Sequence, residues 1–302
     1  MYPIKQYIDR PTLLGLSCLS KLNFLFPDKC YLKLYYKLRM GRKLNLRNPK
    51  LFSEKLQWLK LYDRKPIYTK LVDKYEVKKI VKTLIGEQYV IPTIGVWENF
   101  KDIEWDRLPT QFVLKTTHSG GSTGVVICKN KALLDIEKTK KILEKSLKSD
   151  IYKTLREWPY KNVKKQIIAE PLLVDKTCPY LRDYKFYCFN GEPKLFYITS
   201  NKGLNLPINQ DFFDLKGNHL EIQDEKYLNN PTQSPNLPNR LCDMIEICKK
   251  ISKDIPEVRV DLYEIEDQIY FGEYTFYEGS GFCKFIPEKY NSILGDLIHL
   301  PI

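Results

Sequence analysis

The sequence predicts an α+β fold, on three observations. Residues 111–129 (QFVLKTTHSGGSTGVVICK) and residues 258–281 (VRVDLYEIEDQIYFGEYTFYEGSG) each read as strand, polar turn, strand. Asn190-Gly191, between YKFYCF and KLFYIT, signals a third hairpin, because this pair accepts the positive φ of a tight turn. Apolar residues at helical spacing mark 49–65, 73–84, 135–148 and 240–253 as helices between these β segments.

In chain order, residues 13–26 (LLGLSCLSKLNFLF) come first and are almost wholly apolar. They are too few for a membrane span, which needs roughly 20 apolar residues. They also lack the basic start and small-residue cleavage site of a secretory signal. Lys29, Lys33, Lys37, Arg39, Arg42 and Lys43 follow, interleaved with Tyr31, Tyr35 and Tyr36. Two readings are open: a helix packed on the body, or a peripheral contact with an anionic membrane face. The 49–65 helix buries Phe52, Leu56 and Leu59, with Trp58 beside them; the 135–148 helix buries Ile136, Ile142 and Leu143 under a Lys-rich outer face. Residues 206–238 are polar and rich in Asn and Pro, and read as an irregular excursion.

With 302 residues, 43% of them hydrophobic, the chain can bury one large or two moderate cores. A formal net charge of +12 favours anionic partners such as a nucleotide, a phosphorylated sugar carrier, an acidic polysaccharide or a membrane surface. A generally Lys-rich composition accounts for the charge equally well. The charge is spread along the chain without a zinc-finger, recognition-helix or RNA-binding signature, so nucleic acid is not expected as a partner. Eight Cys occur without any Cys-x-x-Cys, and only three His, which excludes the usual zinc spacings. Without a secretion signal, reduced thiols in the cytoplasm are the natural reading.

The hairpin at 258–281 concentrates chemistry. If its turn centres on Asp267, Asp261 lies opposite Glu273, and Arg259 opposite Thr275. Opposed residues have Cβ atoms roughly 4.5–5.5 Å apart, and alternate residues share a face, so the four side chains converge. Two carboxylates and a hydroxyl suit Mg²⁺, and an Arg beside them suits a phosphate. The other reading is a polar strand face with ordinary cross-strand charge pairs. The hairpin at 111–129 turns through His118, Ser119, Gly120, Gly121, Ser122, Thr123 and Gly124. Glycines there let backbone N–H groups wrap an anion, and Lys115 adds a point charge. No Gly-Lys-Ser/Thr and no Gly-x-Gly-x-x-Gly is present, so neither a P-loop nor a dinucleotide fingerprint applies. An ordinary hairpin tip is the alternative. His118 either faces a substrate from this loop or packs inward.

Together these segments resemble the ATP-grasp superfamily over most of the chain. Asp73-Lys74, leading to Gly86 and Ile91-Pro92, looks like its entry segment. Lys115 and the loop 120–125 follow, and Ile167-Ile168-Ala169-Glu170-Pro171-Leu172-Leu173 is similar to the hinge strand at the adenine. Asp183-Tyr184-Lys185 resembles the Asp-x-Lys of the superfamily, and Arg259-x-Asp261…Glu273-x-Thr275 its metal hairpin, with Thr275 where most relatives carry Asn. The phrases 48–50 (NPK), 53–60 (SEKLQWLK), 116–118 (TTH), 183–191 (DYKFYCFNG), 271–273 (FGE) and 275–277 (TFY) are closer still to the teichuronopeptide-biosynthesis, TupA-like, ATP-grasp family. Glu278 stands where that family is expected to carry Pro, a departure expected to alter only the loop after the strand.

The resemblance implies two lobes enclosing ATP behind a helical N-terminal region. Its divisions are 1–47 (helical), 48–105 (a lobe before the ATP-grasp core), 106–178 (the glycine-loop subdomain) and 179–302 (the subdomain with the metal hairpin). It implies Mg²⁺ on Asp261, Glu273 and Thr275. Lys74, Lys115, Gly120, Gly121, Ser122, Thr123 and Gly124 would hold phosphates, with Glu170, Leu172, Asp183 and Lys185 completing the nucleotide site. Arg259 and Lys115 would be catalytic. The implied reaction is ligation of a carboxylate to an amine through an acylphosphate, in surface-polysaccharide biosynthesis, with a hexuronic acid receiving an amino acid or small amine. Three alternatives stay open: a kinase of a sugar or polyol hydroxyl, a glycosyltransferase, and a non-enzymatic module that binds polysaccharide or membrane.

Overall fold

Two antiparallel sheets carry the chain in a computed structural model that describes residues 11–204, 206–230 and 235–301. The smaller contains β1 (Gly95–Trp97), β2 (Phe112–Thr116), β3 (Val125–Cys128) and β4 (Ile167–Pro171), in the order β1-β4-β2-β3. In β2, buried Phe112, Leu114 and Thr116 alternate with half-buried Val113 and Lys115. One face therefore joins a core of Trp97, Leu143, Ile167 and Ala169, and the other presents Lys115.

The larger sheet contains β5 (Asp183–Phe189), β6 (Glu192–Ser200), β7 (Asn209–Asp214), β9 (Glu257–Ile265) and β10 (Gln268–Thr275), in the order β10-β9-β5-β6-β7. A short pair, β8 (Gln223–Asp224) with β11 (Phe285–Ile286), lies beside it. The expected hairpin at Asn190-Gly191 joins β5 to β6, with both residues at positive φ. Its core is aromatic: Phe186 stacks on Phe196 at 5.0 Å, and Phe196 on Phe213 at 5.4 Å. Strand β7 corrects the reading of 206–238 as wholly irregular. Phe212 and Phe213 are both buried, so this strand is covered on both faces and shows no alternation.

The helices are α1 (Pro11–Lys21), α2 (Asp28–Met40), α3 (Phe52–Tyr62), α4 (Pro66–Val72), α5 (Glu76–Ile85), α6 (Ile136–Leu147), α7 (Ile151–Leu155), α8 (Leu241–Ile251) and α9 (Lys289–Asp296). The expected 49–65 helix starts later and stops earlier. The Glu54 carboxylate accepts from the N–H groups of Lys50 and Leu51, at 3.0 and 3.2 Å, which sets the start. Pro66 opens α4, where a missing N–H costs nothing. Asp73 caps α5 rather than opening it, accepting from Tyr75 N and Glu76 N at 2.9 and 3.2 Å. Asp135 caps α6 in the same way through Lys138 N.

Helices α1 and α2 pack on the body. Leu19, Tyr31, Leu32, Tyr36 and Leu44 form a small core with Phe282. The Tyr31 hydroxyl donates to Thr154 O at 2.7 Å. Among the described residues, no helix is long and apolar enough to cross a membrane.

Candidate active site

The hairpin β9–β10 turns through Glu266 and Asp267, both at positive φ, so Ile265 pairs with Gln268. That register alone would bring Gly272 opposite Asp261. A bulge between Phe271 and Glu273 adds one residue and sets Glu273 opposite Asp261 and Thr275 opposite Arg259. The pairing matches the expected one, by a route that includes a bulge the sequence did not announce. Only glycine fits at 272, because a Cβ there would lie 2.9 Å from the Tyr263 ring and 3.0 Å from Asp261 O.

Strand β5 extends the pattern. Lys185 pairs with Asp261 on its other side, and Tyr187 with Arg259. One row therefore runs Lys185, Asp261, Glu273 across three strands, and the next runs Tyr187, Arg259, Thr275. Arg259 grips Asp261 through Nε and Nη2, at 2.6 and 2.8 Å. Its Nη2 also donates to Thr275 Oγ1 at 2.9 Å, and its Nη1 to the Tyr197 hydroxyl at 3.1 Å. Lys185 donates to Asp261 and stands 3.7 Å from Asp183, whose carboxylate also accepts from Lys202 at 2.6 Å.

Lys74 approaches this face from the segment between α4 and α5. Its Nζ lies 2.7 Å from Glu273 Oε2, while its backbone N–H donates to Thr117 O at 3.0 Å. One residue thus ties the glycine-hairpin sheet to the large sheet. Burial alone would push Asp183 and Glu273 up. Lys185 and Lys202 beside the first, and Lys74, Lys185 and Arg259 beside the second, hold both below the usual carboxylate range.

On the smaller sheet, Lys115 binds Glu170 at 2.6 Å, and Lys78 binds its other oxygen at 2.5 Å. Burial would raise Glu170, but the two lysines keep it low. Leu172 is half-buried just after β4. The loop after β2 divides in two. Gly120, Gly121 and Thr123 line a cleft of about 1260 Å³, together with Arg259, Glu273 and Thr275. Ser122 is exposed at the tip. Gly124 instead packs inward at φ +67°, where a Cβ would lie 2.1 Å from Ser146 Oγ. His118 also turns inward: it is buried, and its Nε2 lies 3.0 Å from Ser146 O.

Four charged residues around the site were given no role in it from the sequence. Lys78 and Lys202 neutralise Glu170 and Asp183. Glu278 pairs with Arg259, so the departure at that position does more than reshape a loop: it puts a third carboxylate on the guanidinium. Glu157 also lines the cleft and is buried, which pushes it up to about 7 against the pull of Lys60.

The donor set fits a hard divalent cation. Asp261 and Glu273 face each other, with Thr275 Oγ1 3.5 Å from Glu273 Oε1. No group of three or more His, Cys, Asp or Glu suited to a metal occurs among the described residues. A cation here would draw two protein carboxylates and take its remaining oxygens elsewhere, which is the habit of Mg²⁺ with phosphates.

Two antiparallel sheets closing on such a cleft, one with a glycine hairpin and the other with an acid–base hairpin, define an ATP-grasp protein. The chain belongs to the TupA-like ATP-grasp family, whose model matches residues 54–299. Among solved structures, D-alanine–D-alanine ligase from Bacillus anthracis is similar at 17% identity, over 68% of this chain and 57% of its own, with a TM-score of 0.39. The same ligase from Helicobacter pylori is similar at 17% identity, over 82% of this chain and 69% of its own, with a TM-score of 0.42. The ATP-grasp ligase PsnB, complexed with minimal precursor, Mg and ADP, is similar at 10% identity, over 76% and 60%, with a TM-score of 0.40. The chain thus spans little more than half the length of the Bacillus anthracis ligase. No curated protein matches it.

Proposed function

We propose that this chain is an ATP- and Mg²⁺-dependent ligase that joins a carboxylate to an amine. The observation that carries the reading is the row Lys185–Asp261–Glu273, flanked by Arg259 and met by Lys74, of which Glu273 and Arg259 line a cleft together with Gly120, Gly121 and Thr123 of the glycine loop. Asp261 and Glu273, with the Thr275 hydroxyl, would hold Mg²⁺. When bound, the ion would neutralise phosphate charge. Lys74, Lys115, Lys185 and the N–H groups of Gly120, Gly121 and Thr123 would take phosphate oxygens, with Lys185 held between Asp261 and Asp183. Glu170 and Leu172, at the end of β4, would border the nucleotide base.

A substrate carboxylate oxygen then attacks the terminal phosphorus; the new O–P bond forms as the bond to the β-phosphate oxygen breaks, ADP leaves, and the carboxylate becomes an acylphosphate. Arg259 offsets the charge on the transferring group. The amine attacks the acyl carbon; the C–N bond forms, the acyl C–O bond breaks, and phosphate leaves. The amine must give up a proton. Glu157 lines the cleft and, pushed up to about 7, is poised to take it. The glycine loop is the cover that keeps water from the acylphosphate.

The net charge of +12 suits an acidic acceptor, and the family suits surface-polysaccharide biosynthesis, so a hexuronic acid and an amino acid or small amine are the proposed pair. Incubation with ATP, Mg²⁺, uronic acids and amines, with products identified by mass, tests this. An amide with ADP and phosphate is the expected result. A phosphorylated hydroxyl with no nitrogen added would make the protein a kinase, and consumption of a nucleotide sugar a glycosyltransferase.

A further inference from the structure

Helices α1 and α2 are joined by a turn whose side chains face outward in an unusual way. Leu22, Phe24 and Leu25 are 46%, 75% and 60% exposed. Scattered exposed apolar residues need no explanation, but three within four positions form a patch. Leu14 on α1 and Leu34 on α2 are also exposed. Lys21 and Lys29 bracket the turn, and Lys33 and Lys37 follow on α2, all exposed.

The only acid within this turn is directed inward. One Asp28 oxygen accepts from Arg64 Nη2 at 2.7 Å and from the Tyr152 hydroxyl at 2.9 Å, and the other lies 3.0 Å from Arg156 Nε. The outward face of the turn is therefore apolar and cationic. It is also held firmly. Arg156 Nη2 donates to Asn23 O and Phe26 O, at 2.6 and 3.2 Å, with its guanidinium 4.2 Å from the centre of the Tyr31 ring. The apolar tip is thus a fixed projection, so little ordering cost would attend its docking.

We propose that this turn docks the protein on an anionic membrane surface. Phe24, Leu25 and Leu22 enter the headgroup–acyl boundary, and Lys21, Lys29, Lys33 and Lys37 meet anionic headgroups. That is how a basic amphipathic element lies on a bilayer, with affinity set by apolar area and charge together. The position has a use. Asn23, next to Phe24, and Leu13 and Leu16, on α1, line the same cleft as Arg259 and Glu273. Docking sets that end of the cleft at the headgroup level, where it can meet a substrate carried on a lipid. The proposal is independent of the ligase reading, because its test is binding and not turnover.

The test is co-sedimentation of the full chain with vesicles of phosphatidylcholine alone, or mixed with phosphatidylglycerol. The wild-type chain should bind only the mixed vesicles, and less as salt shortens the Debye length. Phe24→Asp with Leu25→Asp should lower binding at least tenfold. Lys21→Glu with Lys29→Glu should lower it by about fivefold or more per charge. Circular dichroism and melting should be unchanged, since these side chains are exposed. Absence of binding by the wild-type chain, or undiminished binding by both variants, would overturn the proposal. So would a wild-type dimer that Phe24→Asp converts to monomer, which would make the patch a contact between copies.

Discussion

Lys74 and Glu273, separated by 199 positions in the chain, meet at 2.7 Å. The contact ties the segment before α5 to the hairpin that would hold the metal. Lys74 is largely buried, so its ammonium depends on this carboxylate for compensation. In Glu273→Gln the amide can still accept from Lys74, but the charge is gone. We expect ATP turnover to fall by roughly a hundredfold or more, and stability by only about 1–2 kcal/mol. ADP release and thermal unfolding measure the two. Turnover close to wild type would make the hairpin a structural feature.

Gly272 carries the register of the site. Its absent Cβ lets the bulge form against Tyr263 and Asp261 O. Gly272→Ala should cost about 1–3 kcal/mol through overpacking, and should lower turnover by moving Glu273 away from Asp261. Denaturant unfolding and ATP turnover report both. A loss of stability without loss of turnover would separate the bulge from the chemistry.

Lys60 is wholly buried and donates to Leu155 O, Ser280 O and Ser280 Oγ, at 2.9, 2.7 and 2.8 Å. It pins the turn that follows β10, and with it Glu278 beside Arg259. Lys60→Met fills the space but takes the donor from Leu155 O and Ser280 Oγ, while Ser280 O keeps Gln57 Nε2 at 3.0 Å. A loss of about 3 kcal/mol or more is expected, read as a shift in urea midpoint at unchanged slope.

Glu257 sets a pH dependence. Its carboxyl oxygens are buried, and burial, helped by Glu278, pushes it up to about 8. The unfolded chain loses this proton near pH 4.3, while the folded chain keeps it until about pH 8. The unfolded state therefore binds fewer protons in that window, and stability falls as pH rises through it, by roughly 1.4 kcal/mol per unit of pKa difference at most. Glu257→Gln cannot ionise. Its melting temperature, relative to wild type, should rise steadily from pH 5 to pH 8, and a constant difference would refute the assignment.

The hairpin β9–β10 was legible because apolar alternation and a short polar turn leave few pairings. The bulge at Gly272 was not, since a glycine in a strand signals irregularity without its size. Strand β7 was hidden because Phe212 and Phe213 bury opposite faces, which removes the alternation that reveals a strand. Lys78 and Lys202 were hidden for a different reason. Their partners Glu170 and Asp183 sit on other elements, and no spacing rule links them. His118 could not be placed from its position in a glycine loop alone, and its ring follows the inward side of that loop with Gly124.

Each lysine assigned to a phosphate already holds a carboxylate: Lys74 holds Glu273, Lys115 holds Glu170, and Lys185 holds Asp261. In the proposed reaction a nucleotide phosphate reaching these lysines would trade one anionic partner for another, and the trade would reverse when the spent nucleotide departs. The carboxylates would then compete with the product for the same cations. Such internal competition would weaken retention at the end of a cycle, and so favour repeated turnover over a tight, stalled complex.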